Sequence, residues 1–283
     1  LGKRSLSVQW RPQFTLPENG PEGLEETVYF MDYQDVRLII LNSNVEIERQ
    51  AIWLEEVLKS TKQKWKIVTY HHPLFSASNG RDNSKLRELW KPIFDKYNVD
   101  LALQGHDHAY ARGRVSPGEN LMDGVNMRDQ TGTVYVVSVS GGKMYKIGGD
   151  WTANGAERDR VGENTQLFQV VTVNGDQLLF ESYTAIGELY DSFQLTKNGD
   201  NPNIFLELRA NAVPEKYHSN TTYYGDLLPK EIEEKLMNEY LDYAISRVSS
   251  YKIDEQLIFK VRLENGKTVI NLMLDSKGNT VIK

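Results

Sequence analysis

Two runs of apolar, β-branched and aromatic residues, Thr27–Tyr33 and Val36–Asn42, flank Gln34-Asp35 and predict adjacent strands of a hairpin. From Glu46 to Leu58 the apolar spacing becomes helical, with Ile47, Ala51, Leu54 and Leu58 on one stripe. Trp65–Tyr70 is a short buried strand that runs into His71-His72-Pro73. Ser84–Tyr97 predicts a second helix, with Leu86, Leu89, Trp90 and Phe94 on its apolar side. Val99–Leu103 is a further short strand and runs into Gln104-Gly105-His106-Asp107-His108. Strands and helices alternating at this spacing predict an α/β layer with parallel strands covered on both faces.

The pattern then turns to β. Residues 111–132 read as a long loop, Thr133–Ser140 as a strand, and 143–165 as irregular. Gln166–Val173 and Gln177–Thr184 around Asn174-Gly175-Asp176 predict a hairpin, with Leu189–Thr196 as a third strand. The polar stretch after residue 197 predicts a boundary: a first domain over 1–197, a linker over 198–227, and a small α+β domain over 228–283. Pro229 opens the helix of that last unit, with Ile232, Leu236, Tyr240 and Ala244 on its stripe. An antiparallel meander follows over Leu257–Leu263, Thr268–Leu274 and Thr280–Ile282. Its core is expected to contain Ile232, Leu236, Tyr240, Phe259, Val261, Ile270 and Leu272.

Composition narrows the functions. A net charge of −6 over 283 residues argues against nucleic-acid binding through broad electrostatics. No apolar run approaches the ~20 residues of a membrane span. With no cysteine, thiolate metal sites and cysteine nucleophiles are excluded. The opening Leu1-Gly-Lys-Arg is neither an initiator methionine nor a signal peptide, which predicts a fragment or processed product.

Four of the five histidines fall in two clusters, each at the end of a predicted buried strand. In parallel sheets ligands gather beyond the carboxyl ends of strands. His106 and His108 lie two apart and can project to one side, and neutral imidazole is a good ligand for Zn, Fe or Mn. Gly105 is expected to supply the tight turn. Solvated loop histidines are the alternative reading of the same pattern, and the lone His218 is read as surface.

Val68-x-x-His71, followed by Gly105-His106-x-His108-x-Tyr110-x-Arg112, resembles the last two motifs of the calcineurin-like metallophosphoesterases. Together with Trp65–Pro73, Arg11–Pro21, Ser138–Gly142 and Gln166–Tyr183, it looks most like the purple acid phosphatase branch over roughly residues 1–197. The resemblance implies an α/β fold, the C-terminal part of a metallophosphoesterase β-sandwich with flanking helices. It implies phosphate-ester hydrolysis at two divalent or trivalent ions, Fe, Zn or Mn. Carried over, His71 and His106 would share one ion and His108 would hold its neighbour. His72 and Arg112 would serve catalysis, and His72 and Tyr110 the phosphate ester; a packing and salt-bridge role for Tyr110 and Arg112 is the alternative.

The family's earlier motifs, Asp-x-His or Asp-x-Gly, Gly-Asp-x-x-Tyr and Gly-Asn-His-Glu or -Asp, are absent from this chain. The expectation is therefore a longer parent whose missing N-terminal half supplies the bridging carboxylate, and little activity in this chain alone. A non-catalytic binding or regulatory protein built on an incomplete phosphoesterase half is the competing reading. The tail from Leu228 resembles PepSY-like modules, and the two resemblances together imply an extracytoplasmic (periplasmic or secreted) setting.

Overall fold

The computed structural model describes residues 9–115, 130–208, 228–253, 256–265 and 268–282. His218, the stretch 116–129 and most of the expected linker lie outside the described residues. After a short helix α1 (Trp10–Gln13), the chain forms β1 (Tyr29–Tyr33), β2 (Val36–Ile40), α2 (Ile47–Ser60), β3 (Trp65–Tyr70), α3 (Ser84–Lys96) and β4 (Leu101–Gln104). It continues through β5 (Tyr110–Arg114), β6 (Gln130–Thr131), β7 (Val134–Val137) and β8 (Glu157–Gly162). Strands β9 (Leu167–Asn174), β10 (Gln177–Thr184), β11 (Leu189–Asn198) and β12 (Asn201–Glu207) follow.

A seven-stranded sheet has the order β1-β2-β3-β4-β7-β5-β8. Strands β2, β3, β4 and β7 are parallel neighbours, as the alternation of strands and helices demands. The period of two along each strand sorts side chains onto two faces. Val68, Tyr70, Ala102, Tyr135 and Val137 face α2 and α3, where Leu54, Leu58, Trp90 and Phe94 complete a core. Trp65, Ile67, Leu101, Val134 and Val136 face the other way, into a second core with Leu178, Phe180, Phe193, Leu195 and Phe205. Those partners belong to an antiparallel five-stranded sheet of order β6-β12-β11-β10-β9. The parallel strands are thereby buried on both faces, and all four end on the same side of the layer.

The last segment contains α4 (Lys230–Glu239), β13 (Ala244–Ile253), β14 (Gln256–Glu264), β15 (Val269–Asp275) and β16 (Thr280–Ile282). These strands form a separate four-stranded antiparallel sheet. Ile232, Leu236, Phe259, Val261 and Leu272 are buried together there, with Tyr240 and Ile270 packed against them. Among the described residues, no helix is long and apolar enough to cross a membrane.

Four stretches depart from expectation. Tyr110–Arg114 is a strand and not the start of a loop, paired with β7 and β8. Glu157–Gly162, expected as irregular, is the edge of the large sheet. The boundary after residue 197 falls inside a β-hairpin, because Asn201–Glu207 pairs with β11 and extends the five-stranded sheet. The helix stripe stops short of Ala244, which opens a strand instead.

Candidate metal centre

His71 directly follows β3 and Gly105-His106 directly follow β4. The two strands are parallel neighbours with Tyr70 opposite Gln104, so the residues after them leave the sheet side by side. The Gly105 amide donates to the His71 carbonyl at 3.0 Å and extends the pairing by one step. The turn itself is made at His106 and not at Gly105. His106 has φ +68°, and the Asp107 amide donates back to the Gly105 carbonyl at 2.8 Å, a three-residue turn of the rare strained hand. A Cβ at Gly105 would meet only His71, at 3.5 Å, so no steric demand fixes glycine there.

This turn places His106 Nδ1 3.0 Å from His71 Nε2. Two nitrogens each ~2.1 Å from one ion at roughly 90–110° would stand about 3.0–3.4 Å apart, so the pair is spaced as co-ligands are. His72 joins them: one ring nitrogen from each of His71, His72 and His106 lies within 4.8 Å of the other two. Ser43 holds His72 at 2.9 Å from both its backbone amide and Nδ1. Burial first, then the Arg81 charge and His71, lower the His106 pKa from its ordinary value. Its ring therefore stays neutral, and able to ligate, to lower pH than an ordinary histidine.

His108 stands apart from that trio. Its ring stacks on Tyr145 at 4.7 Å, and Nδ1 lies 2.9 Å from the Lys143 carbonyl. A carbonyl only accepts, so Nδ1 carries the proton and Nε2 the lone pair, the tautomer a ligating histidine needs.

Asp107, between the two histidines, is a buried anchor. Its Oδ2 accepts from Ser76 Oγ at 2.5 Å and from the Ala77 and Ser78 amides at 2.6 and 3.2 Å. Its Oδ1 accepts from Arg81 Nη1 at 3.0 Å. Asp107→Ala should leave these donors unsatisfied and free the strained turn, weakening metal binding by about 10–100-fold, the scale for losing a supporting partner. Calorimetric titration with Zn(II) measures this, and an unchanged affinity would show that the anchor does not set the site.

Tyr110 and Arg112 belong elsewhere. Both are fully buried, and both bond to Asp191, the Tyr110 hydroxyl at 2.6 Å and Arg112 Nε at 2.7 Å. The expectation that they meet substrate gives way to the packing and salt-bridge role, because side chains sealed between two sheets present nothing to the histidine face.

The donor set fits part of a metal centre. Three imidazoles suit Zn, Fe or Mn, yet no described carboxylate joins the group, so these residues alone provide no bridge between two ions. Arg81, Lys143 and Tyr145 also border the site; the sequence spreads them over two irregular loops and carries no periodic signal for them.

Residues 9–110 match the calcineurin-like phosphoesterase family. The chain is 35% identical to purple acid phosphatase 17 of Arabidopsis thaliana over 89 residues, 31% of this chain and 26% of that protein. It is 31% identical to a purple acid phosphatase of Glycine max over 153 residues, 49% of this chain and 33% of that protein. The matches thus span about a quarter to a third of these relatives' own length. In fold the chain is similar to a purple acid phosphatase from yellow lupin (Lupinus luteus) seeds. There the TM-score is 0.50 and the identity 24%, covering 65% of this chain and 34% of that one. Residues 9–110 thus match the model of the calcineurin-like phosphoesterase family, and purple acid phosphatases are among the proteins to which the chain is similar in sequence and in fold.

Proposed function

We propose that this chain supplies one wall of a dinuclear metal centre that hydrolyses phosphate esters. The observation that carries the reading is the 3.0 Å approach of His71 and His106 at the ends of adjacent parallel strands. His71 and His106 hold one ion between them, His108 offers Nε2 to the second, and His72 stands beside them, oriented by Ser43. Bound ions of this kind activate water and polarise phosphoryl oxygens. The bridging carboxylate comes from a further part of a longer protein, a reading supported by the carboxylate-free donor set and by the larger size of the relatives. We read the first two sheets as that enzyme's C-terminal half-sandwich and the last as an accessory PepSY-like module, in an extracytoplasmic protein.

Titration of the chain with Zn(II) or Mn(II) should show weak binding that His71→Ala and His106→Ala each abolish, and no turnover of a generic aryl phosphate. Absence of any histidine-dependent metal binding would remove the metal assignment. Robust metal-dependent turnover by this chain, lost in His106→Ala, would show that the site is complete without further ligands.

Acidification adds a check. The His106 proton affinity is lowered by folding, so the unfolded chain takes up its proton first as pH falls below ~6.5. Stability from this group is present above that pH and declines as pH drops from it toward the folded value. Metal binding through His106 should therefore survive at pH 6.5, and its loss above that pH would contradict the assigned environment.

A further inference from the structure

The stretch 143–151 is strapped onto the loops after β3 and β4. The Tyr145 amide donates to the His108 carbonyl at 2.8 Å, the Gly148 amide to the Ala77 carbonyl at 2.7 Å, and Trp151 Nε1 to the Ser76 carbonyl at 2.8 Å. This strap lays the Tyr145 ring against the His108 ring. Two cations sit on the same tyrosine: the Arg81 guanidinium 4.9 Å from the ring centroid, and Lys143 Nζ 5.2 Å from it. Arg81 is located from below by the fully buried Asp107 while its own side chain is 34% exposed.

We propose that Arg81 and Lys143 grip the non-reacting oxygens of the phosphoryl group bound against the histidine face. The proposal rests on the phosphoesterase reading above and names residues for it that the sequence does not single out. A guanidinium has five N–H donors in a planar fork matched to phosphate. Asp107, the His106 carbonyl and Tyr145 account for only some of them. The remaining Arg81 donors and the Lys143 ammonium, which shares the Tyr145 hydroxyl with Arg81, flank the site where negative charge would gather. Asp107 and the strapped Tyr145 ring locate the two cations before any ligand arrives. Simple support of Asp107 would explain Arg81 but not a second cation drawn to the same ring.

A second lysine-rich place is a cavity of about 410 Å³ lined by Lys64, Lys66 and Lys197, at the opposite ends of the parallel strands. Its lysines are committed to Asp176, the Tyr97 carbonyl and Asp100, all at 2.5–2.7 Å. It serves as the internal competitor in the test.

Inorganic phosphate is titrated into the metal-free chain and followed by amide NMR shifts. The expected result is saturable shifts over residues 78–82 and 143–146, with Kd raised about tenfold in Arg81→Met, the lower end of the scale for one hydrogen bond to a charged group. A smaller rise is expected in Lys143→Met and none in Lys64→Met. Lys143 is exposed, so its variant reports even if Arg81→Met disturbs the loop around Asp107. Undispersed amide spectra would identify such a disturbance. No saturable shift, shifts confined to the Lys64–Lys197 cavity, or a Kd unchanged in both variants would overturn the proposal. Because the titration uses neither metal nor ester, failure of the phosphatase reading shows separately, as missing metal binding with these phosphate shifts intact.

Discussion

His106→Ala in the full-length protein that we propose should lower turnover of an aryl phosphate by more than ~100-fold, because losing a mere supporting partner of a metal ligand already costs about 10–100-fold. His106 does two things that no neighbour duplicates. Its Nδ1 completes the pair with His71 Nε2, and its backbone turn sends Asp107 inward and His108 outward. Alanine at φ +68° removes the ring and keeps the strain. A steady-state comparison at saturating metal, with metal content measured in both proteins, gives the answer. A mutant within a few-fold of the parent would take His106 out of the site.

Arg112→Met should be the most damaging structural change, destabilising the chain by about 3–5 kcal/mol, the cost of stranding a buried charge. Arg112 and Asp191 are both fully buried. The guanidinium meets the carboxylate through two nitrogens, Nε at 2.7 Å and Nη2 at 3.0 Å, and Nη2 also reaches Glu207 at 2.7 Å. Burial works to push the Arg112 proton off, but the hydrogen bonds and charge of Asp191 outweigh it and raise the Arg112 pKa above its ordinary value. Among the described residues, removing the arginine leaves Asp191 with Tyr110 and the more distant Arg160, at 3.7 Å. Adding Asp191→Leu should recover part of the loss, since two apolar groups can replace a buried pair at small cost. Urea unfolding measures both variants, and a single mutant within about 1 kcal/mol of the parent would show the network to be dispensable.

The parallel strands were legible because their apolar residues are few, continuous and bounded, and because α2 and α3 repeat at a helical period. Strands β5 and β8 were not, because their cross-strand partners are charges. Arg114 pairs with Asp159, and Arg112 with Asp159, Asp191 and Glu207, so neither strand has an apolar alternation to read. Asn201-Pro202-Asn203 looked like a linker, yet Asn203 is buried and bonds Asp100 at 2.6 Å. Ala244 continued the four-residue spacing of Ile232, Leu236 and Tyr240 by coincidence, for α4 ends at Glu239 and Ala244 opens β13 opposite Glu264. At the site, the strand ends announced His71 and His106. Strand alternation points consecutive residues to opposite faces, and the bonds from Ser43, far away in sequence, hold His72 beside His71.

The left-handed backbone at His106 sets the site against the fold. A non-glycine residue in such a posture costs of order 1–3 kcal/mol, a cost glycine avoids. His106→Gly should therefore be at least as heat-resistant as the parent while losing a metal ligand. Selection for thermal endurance alone would drift position 106 toward glycine, and only selection for chemistry holds a histidine there.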